Sequence, residues 1–235
     1  TYPTIANLLS PTAANGAARS FRGAVAVAHE RGLQFRVDEI NSVSCKGTRG
    51  VSDVFGSALW GLDALFNLAR AGADGVNIHT LQKAAYAPFA FTYSGGRWRA
   101  EVRPLYYGLL LFARAAPAGS RIVATAHAPR PALRTWATAG PGPVAHVVLV
   151  NESATRPLTV AVRPPRPARL ATVERLLAPG LLAKTGVSLA GQTFGATTAT
   201  GQLSGPRRTV TLQPINQRYV VRLAPASAAM LTLQS

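Results

Sequence analysis

The stretch FRVDEINSVSCKGTRGVSDVFGSALWGLDALFNLARAGADGVNIHT, residues 35–80, decides the fold class because it predicts a strand, a loop, a long helix and a second strand. Residues 33–40 alternate between the two faces of a strand. An apolar stripe at helical spacing predicts a helix over 52–71, and GVNIHT predicts a short strand over 75–80. Strand, helix and strand at this spacing indicate βα units on a parallel sheet.

Two further helices flank this stretch, over residues 11–31 and 104–116, and each begins at a proline. The segment between the second strand and the last helix contains YSGGRW and is expected to be a loop. Two strands cannot make a closed barrel or a stable doubly wound sheet. We therefore expect a part of the protein upstream of this chain to complete the sheet.

The chain changes character near residue 117, after which short apolar segments alternate with Pro- and Gly-containing turns. This pattern predicts an antiparallel sandwich. RPPRPAR, residues 163–169, is expected to be a rigid turn, and the Gly- and Thr-rich residues 186–205 are expected to form a long surface loop. The predicted strands are 120–126, 132–138, 143–150, 156–162, 168–176, 208–213, 217–223 and 228–233.

The composition limits the classes of function. The 235 residues suffice for one large or two small domains, and no apolar run reaches the roughly 18 to 20 residues needed to cross a bilayer. Cys45 is the only cysteine, which excludes an internal disulfide and a cysteine-based metal cluster. His29, His127 and His146 show no metal-ligand spacing, so we predict no metal and no cofactor.

The net charge of +16 has two interpretations: a genomic composition bias, or attraction to a polyanion such as nucleic acid or an acidic glycan. The arginines are scattered and no basic helix or aromatic RNA-binding motif occurs, so we predict no nucleic-acid partner. The N-terminus shows no charged-then-apolar signal pattern and resembles the interior of a larger protein.

Glu39 is one of nine acidic residues and lies at the end of the first predicted strand, where alternation places it on the face of Phe35 and Val37. Burying a lone carboxylate is costly unless it is hydrogen-bonded or paired. A catalytic role and an ordinary strand-end glutamate held by a cap or an arginine both remain open from the residues alone.

The order and spacing of several motifs resemble the C-terminal end of a family 79 glycoside hydrolase barrel, a family of β-glucuronidases and heparanase-like enzymes. They are the Glu-x-Asn-Ser after a strand, the Ser-Asp before a long helix with Ala-Leu-Trp, the Asn-x-His of the next strand, and then YAPF and PLYYGLLLFA. The resemblance covers residues 4–116 and implies that residues 1–116 are the last strands and helices of a (β/α)8 TIM barrel. Residues 117–235 resemble, less specifically, the β-sandwich domain that follows it.

The resemblance implies a retaining glycosidase that acts on β-linked glucuronic acid by double displacement. Glu39 matches the nucleophile, at the end of the seventh barrel strand. The general acid/base matches no residue here and is expected from an N-terminal portion of the same enzyme, so this chain alone is expected to be inactive. Asn151-Glu152 is the single Asn-Glu pair, and we expect it to be structural. The resemblance also implies a secreted or extracytoplasmic location.

Substrate-binding candidates surround Glu39 in the sequence. The resemblance implies that Tyr86 helps to hold the substrate carboxylate, and His79 is placed to reach the sugar. Asn41 and Ser42 can donate hydrogen bonds to the nucleophile or to the sugar, and Lys46 can attract a uronate carboxylate or sulfate. Each residue also has a purely structural interpretation. The loop SVSCKGTRG lacks a tyrosine that some family members carry there, which departs from the family pattern.

Two other functions remain open. One is a non-catalytic carbohydrate-binding or interaction module built on the β-region. The other is a barrel glycosidase of different specificity, for instance an arabinofuranosidase. A chain holding part of a barrel is also expected to expose the apolar edge of its sheet and to need the missing portion for solubility and order.

Overall fold

The computed structural model describes residues 2–140, 142–165, 168 and 170–234. The first part of the chain mixes helices and strands, as the sequence predicts, and each predicted helix is present to within a few residues. No helix among the described residues combines the length and the apolar character that a membrane crossing requires. In chain order the elements are α1 (Ile5–Leu8), α2 (Pro11–Glu30), β1 (Arg36–Ile40), α3 (Phe55–Ala71), β2 (Gly75–Ile78), β3 (Phe89–Ser94), β4 (Arg97–Val102) and α4 (Pro104–Ala115).

Strands β1 and β2 pair in parallel, which confirms the expected βα arrangement. Their apolar side chains face the helices, since Val37 of β1 is buried against Ala18 of α2 and Leu68 of α3. The helix α3 that connects them is buried over most of its length and ends at Gly72, whose φ of 97° suits a left-handed C-cap. The parallel pair therefore rests on a well-packed helical layer.

Helices α3 and α4 pack very closely. An added Cβ at Gly108 of α4 would lie 2.2 Å from the carbonyl oxygen of Ala58 in α3, which only glycine avoids. Leu59 of α3 and Leu105 and Leu111 of α4 are fully buried in the same core cluster. The two helices therefore form one rigid unit behind the parallel strands.

The expected loop around YSGGRW is a β-hairpin instead. Strands β3 and β4 pair over six positions, from Phe89 opposite Val102 to Ser94 opposite Arg97. Gly95 and Gly96 both have positive φ, at 57° and 75°, as a tight two-residue hairpin turn requires. The Gly-Gly pair between alternating segments is a hairpin signal that the loop prediction overlooked.

The second part of the chain is all-β, as the sequence predicts. Seven strands form one antiparallel sheet in the order β10-β9-β13-β7-β6-β5, with β11 also paired to β9. The strands β8 and β12 form a separate antiparallel pair whose apolar residues pack on this sheet. The strands are β5 (Arg121–Val123), β6 (Leu133–Ala139), β7 (Val144–Asn151), β8 (Leu158–Val162), β9 (Leu170–Leu177), β10 (Ser188–Leu189), β11 (Val210–Leu212), β12 (Tyr219–Leu223) and β13 (Ser227–Gln234).

Residues 186–205 are not a simple surface loop, contrary to the prediction. Val187, Leu189 and Phe194 are buried, and β10 pairs with β9. The reason is tertiary, because these apolar residues fill the space between the sheet and α4, where Phe194 contacts Tyr107 edge-on at 5.3 Å. The predicted rigid turn over 163–169 lies partly outside the described residues.

One hydrophobic core joins the two parts of the chain. Trp136 of β6 stacks on Phe66 of α3 with ring centroids 5.3 Å apart, and Val148 and Leu176 of the sheet belong to the same cluster. The indole Nε1 of Trp136 donates a 2.8 Å hydrogen bond to Asp63 Oδ1. The predicted boundary near residue 117 falls between α4 and β5, but the packing is continuous across it.

Candidate active site

The side chain of Glu39 leaves β1 on the face opposite to Val37, which corrects the sequence-based placement. The pairing register shifts between Val37, opposite Val76, and Ile40, opposite Ile78, so β1 carries a bulge here. An extra residue in a strand reverses the alternation beyond it. Val37 and Ile40 consequently both face the helices, and Glu39 lies on the exposed face at the carboxyl end of the strand.

Two neighbours hold the Glu39 carboxylate by the same oxygen. The Asn41 amide Nδ2 donates to Oε1 at 2.8 Å, and His79 Nδ1, just beyond β2, lies 3.0 Å from the same atom. The Glu39 side chain is 59% exposed, and no described residue hydrogen-bonds to Oε2. The carboxylate is thus fixed in orientation with one oxygen open to a ligand.

His79 also links Glu39 to Tyr86. Its Nδ1 lies 3.0 Å from the Tyr86 hydroxyl, and the two rings are 5.6 Å apart. An ionised Glu39 requires a proton on Nδ1, and that hydrogen can then be shared between the carboxylate and the phenol oxygen. The hydroxyl proton of Tyr86 remains available for a third group, so the cluster can donate to a bound anion or sugar oxygen.

The loop after β1 docks on the loop that carries Tyr86. Ala85 N donates to Lys46 O at 2.7 Å, and Cys45, Lys46 and Gly47 are consecutive residues with positive φ. A Cβ at Gly47 would lie 2.8 Å from Ser52 Oγ and 2.9 Å from the backbone nitrogen of Tyr86. The close approach of the two loops therefore requires glycine at this position.

Arg103 is a supporting residue that sequence reasoning missed. Its Nη1 donates to the carbonyl oxygens of Ala84 at 2.7 Å and Ala87 at 3.4 Å, on either side of Tyr86. The backbone nitrogen of Arg103 also donates to Pro88 O at 2.9 Å. A lone arginine before a helix carries no sequence signal for this role, because its acceptors are carbonyls of a distant loop.

The remaining predicted site residues occupy different environments. Asn41 Oδ1 and Ser42 Oγ, on the segment just after β1, are buried and have no hydrogen-bond partner within the described residues. Buried polar atoms are seldom left unpaired in native proteins, so these two atoms can still form a hydrogen bond to a ligand. Lys46 is exposed, and only its carbonyl joins the loop contact above. The structure thus brings Glu39, Asn41, His79 and Tyr86 together. Ser42 follows Asn41 in the chain, and Lys46 lies on the loop that docks on Ala85.

No second carboxylate pairs with Glu39 among the described residues, and no group of three or more potential metal ligands occurs among them. The Asn151-Glu152 pair is used within the fold. Asn151 Nδ2 donates to Arg156 O at 2.8 Å and Ala224 O at 2.9 Å, while Glu152 lies 2.6 Å from Arg134 Nη2.

The Glu152 carboxyl lies in a buried acidic network far along the chain from Glu39. Burial raises the pKa of Glu152 to about 8, because desolvation outweighs the attraction of Arg134 and the charge of Asp63 adds to it. Burial also raises the pKa of Asp63, against the hydrogen bond from Trp136. Both carboxyls lie where α3 meets the sheet, Asp63 on Trp136 and Glu152 on Arg134.

Comparison with known proteins identifies similar folds. A 4-O-α-L-rhamnosyl-β-D-glucuronidase from Fusarium oxysporum, solved with Rha-GlcA, superposes with a TM-score of 0.81 at 20% identity over 98% of this chain and 50% of its own. An α-L-arabinofuranosidase from Thermotoga maritima gives 0.68 at 15% identity over 100% and 51%. A family 30 subfamily 8 xylanase from Clostridium acetobutylicum gives 0.60 at 11% identity over 89% and 45%.

These similarities establish the fold, a mixed α/β architecture with a large antiparallel sheet that glycoside hydrolases share. The chain spans about half the length of the solved structures it matches. No protein-family model matches the sequence, and no curated protein matches it.

Proposed function

We propose that this chain is the nucleophile-bearing part of a retaining glycoside hydrolase that acts on β-linked glucuronic acid. Residues 1–116 would be the end of a (β/α)8 barrel and residues 117–235 a β-sandwich. The observation that carries the proposal is Glu39, exposed at the carboxyl end of a parallel strand, with Oε1 held by Asn41 and His79 and Oε2 open. Catalytic groups of such barrels lie at this end of the strands.

The proposed reaction is a double displacement. Glu39 Oε2 attacks the anomeric carbon and the bond to the leaving oxygen breaks, while a glutamic acid from the N-terminal portion of the enzyme protonates that oxygen. Water then attacks the anomeric carbon of the ester, the same glutamate takes the proton of the water, and Glu39 is released. Two inversions leave the configuration of the sugar retained.

The neighbouring residues take supporting roles in this proposal. Asn41 and His79 orient the carboxylate, and their hydrogen bonds stabilise its negative charge when the ester is released. The free hydroxyl proton of Tyr86 and the ammonium of Lys46 suit the uronate carboxylate. Ser42 Oγ, which lacks a partner within the described residues, can bind a sugar hydroxyl.

The similarity in fold to a solved rhamnosyl-glucuronidase supports the glucuronide assignment. The similarity to an arabinofuranosidase over the whole chain favours a second candidate, a glycosidase of the same architecture that acts on arabinofuranosides. The excess of arginine favours the first candidate, because a uronate is anionic and an arabinofuranoside is neutral.

Kinetics of the complete natural protein would test the proposal. Glu39→Gln should lower kcat on an aryl β-glucuronide by at least about 10³-fold, because the amide is a poor nucleophile. Glu30→Gln, at the exposed end of α2, is the matched control and should leave kcat unchanged. Wild-type activity in Glu39→Gln would contradict the proposal, and cleavage of aryl arabinofuranosides alone would select the second candidate.

A further inference from the structure

A polar cavity lies where the end of α4 meets one face of the seven-stranded sheet. It has a volume of about 650 Å³ and is lined by residues of α4, β7, β9, β13 and the segment just before β11. None of the candidate active-site residues around Glu39 lines it. We name it the junction cavity and define it by its main polar residues, which are Arg114, His146, Thr172, Glu174, Arg207 and Thr232.

Strand pairing places the polar side chains of the junction cavity on a single face of the sheet. His146 of β7 lies opposite Thr232 of β13, and Thr232 lies opposite Thr172 of β9, so the three form one row across the strands. Glu174 is two residues beyond Thr172 in β9 and therefore points to the same face. Met230, opposite Glu174 on this face, is buried in the main hydrophobic core. The polar row thus borders the core and is not an ordinary outer surface of the sheet.

Glu174 holds two guanidinium groups at the junction cavity. Its side chain is only 4% exposed. Arg114 Nη1 donates to Oε2 at 2.7 Å, and Arg207 Nη2 donates to Oε1. Each arginine uses one nitrogen in this contact, and its side chain makes no other hydrogen bond with a described residue. Because a guanidinium group carries several N–H donors in a fixed plane, both arginines keep oriented donors for a ligand.

The sheet side of the junction cavity adds further donors. His146 Nδ1 lies 3.1 Å from Thr232 Oγ1, and Nε2 of the same ring has no hydrogen-bond partner among the described residues. The hydroxyl of Thr172 forms no hydrogen bond with another described residue. The single carboxylate of the cavity, Glu174, already accepts on both oxygens. The groups open to a ligand are therefore mainly donors, and two guanidinium groups against one carboxylate leave an excess of positive charge.

These donors suit an anion with several acceptor oxygens. A carboxylate is planar and is satisfied by one guanidinium group in a bidentate pair. Here the donors approach from three separate parts of the fold, which are α4, the segment before β11 and the row across β7, β13 and β9. The tetrahedral oxygens of a phosphate group can accept from all three directions. The volume exceeds that of an inorganic ion and falls in the range of small-molecule sites, so there is room for an organic body as well.

We propose that the junction cavity binds the phosphate group of a small phosphate ester. Arg114 and Arg207 contact the phosphate oxygens, and the imidazole of His146 and the hydroxyl of Thr172 contact the remaining oxygens of the ligand. The site goes beyond the function proposed above and does not depend on it, because the cavity contains none of the residues around Glu39. The ligand contacts both α4 and the sheet, so its binding stabilises the folded protein.

Calorimetry on the complete natural protein would test the proposal, with ribose 5-phosphate as the probe. Arg207→Gln should weaken its binding roughly tenfold, because a charge-assisted contact to the phosphate is lost. Arg208→Gln is the matched control. It removes the same charge one residue further along the chain, outside the lining of the cavity, and should leave the affinity unchanged. Inorganic phosphate and citrate, titrated in the same way, separate the free ion and a carboxylate ligand from the ester.

Thr172→Val keeps the test decisive if Arg207→Gln disturbs the fold. Valine has nearly the shape of threonine, and the hydroxyl that it lacks forms no hydrogen bond with another described residue. The variant should therefore weaken the binding of ribose 5-phosphate roughly fivefold without lowering the melting temperature. Unchanged affinity in a folded Thr172→Val protein, together with unchanged affinity in Arg207→Gln or its failure to fold, would overturn the site.

The three probes decide the chemistry. Tighter binding of ribose 5-phosphate than of inorganic phosphate would support the ester, and equal affinities would overturn the ester in favour of the free ion. Tighter binding of citrate than of either phosphate probe would overturn the assignment to phosphate. Failure of both phosphate probes to bind would overturn the site. Equal losses in Arg207→Gln and Arg208→Gln would do the same, because they would show unspecific attraction to the net charge of +16.

Discussion

The interface between helix α3 and the seven-stranded sheet differs sharply from the open end of β1 and β2. At the interface, Phe66 and Trp136 stack inside a core that excludes water, and Asp63 is satisfied by hydrogen bonds. At the strand end, Glu39 is more than half exposed, and two buried polar atoms of the segment that follows it, Asn41 Oδ1 and Ser42 Oγ, lack partners within the described residues. The first region uses its polar groups for stability, and the second keeps them available for a ligand.

This difference predicts that changes at the interface act on stability, whereas changes at the strand end act on activity and leave stability nearly constant. Groups held ready for a ligand often have unfavourable local energies that the rest of the fold offsets. The variants below test that separation, in order of decreasing expected effect.

Gly108→Ala should give the largest loss of stability. Its Cβ would lie 2.2 Å from the Ala58 carbonyl oxygen, so α3 and α4 must move apart. We expect the free energy of unfolding to fall by about 3 kcal/mol, measured by urea denaturation. Gly23→Ala is the matched control, because an added Cβ in that part of α2 contacts nothing within 4 Å. Gly23→Ala should raise the free energy of unfolding by about 0.5 kcal/mol. Equal effects of the two variants would contradict the close packing of α3 against α4.

Glu152 should make stability depend on pH. Its folded pKa of about 8 lies above the ordinary value of 4.5, so the folded state binds the extra proton between these values. Stability from this group is present below pH 4.5 and is lost as pH rises to 8, at up to about 1.4 kcal/mol per pH unit. Glu152→Gln has no carboxyl to ionise at this position, so it does not lose this stability. The free energy of unfolding of Glu152→Gln minus that of the wild type should therefore increase between pH 5.5 and pH 7.5.

The urea midpoints of both proteins at each pH would check this. A difference between them that stays constant with pH would show that Arg134 keeps Glu152 ionised throughout and would remove the pH-dependent term.

His79→Ala should lower activity without unfolding the protein. The variant removes one of the two side chains that contact Glu39 Oε1, and it removes the link between Glu39 and Tyr86. We expect kcat on an aryl β-glucuronide to fall about tenfold, equivalent to about 1.4 kcal/mol, while the free energy of unfolding changes by less than about 0.5 kcal/mol. Measurements of kcat and of urea unfolding on the same variant would check this. A large loss of stability with normal activity would contradict the idea that the residues at the strand end serve activity rather than stability.

The sequence predicts regular elements well here and fails where the backbone is irregular. Periodic apolar residues locate α2, α3 and α4, and the parallel pairing of β1 and β2 follows from the helix between them. The bulge between Val37 and Ile40 has no compositional signal, because it depends on how β2 pairs with β1. It reversed the face of Glu39, although the position of Glu39 at the strand end was predicted correctly.

The contacts of the candidate site depend even more on tertiary structure. The sequence predicts separate roles for Glu39, Asn41, His79 and Tyr86. It does not show that Asn41 and His79 both contact the same oxygen of Glu39. Residues 186–205 resemble a loop in composition, yet Phe194 is buried because Tyr106 and Tyr107 of α4 provide a surface for it. Local sequence does not encode such docking.

The central claim is that Glu39 is the nucleophile. The most direct test is to treat the complete natural protein with a 2-fluoro-glucuronide that has a good leaving group, then digest it and locate the adduct by mass spectrometry. The account predicts one glucuronyl ester, on the peptide that contains Glu39, and no adduct in Glu39→Gln. An adduct on a different carboxylate, or a glucuronidase that gives an inverted product and no adduct, would contradict it.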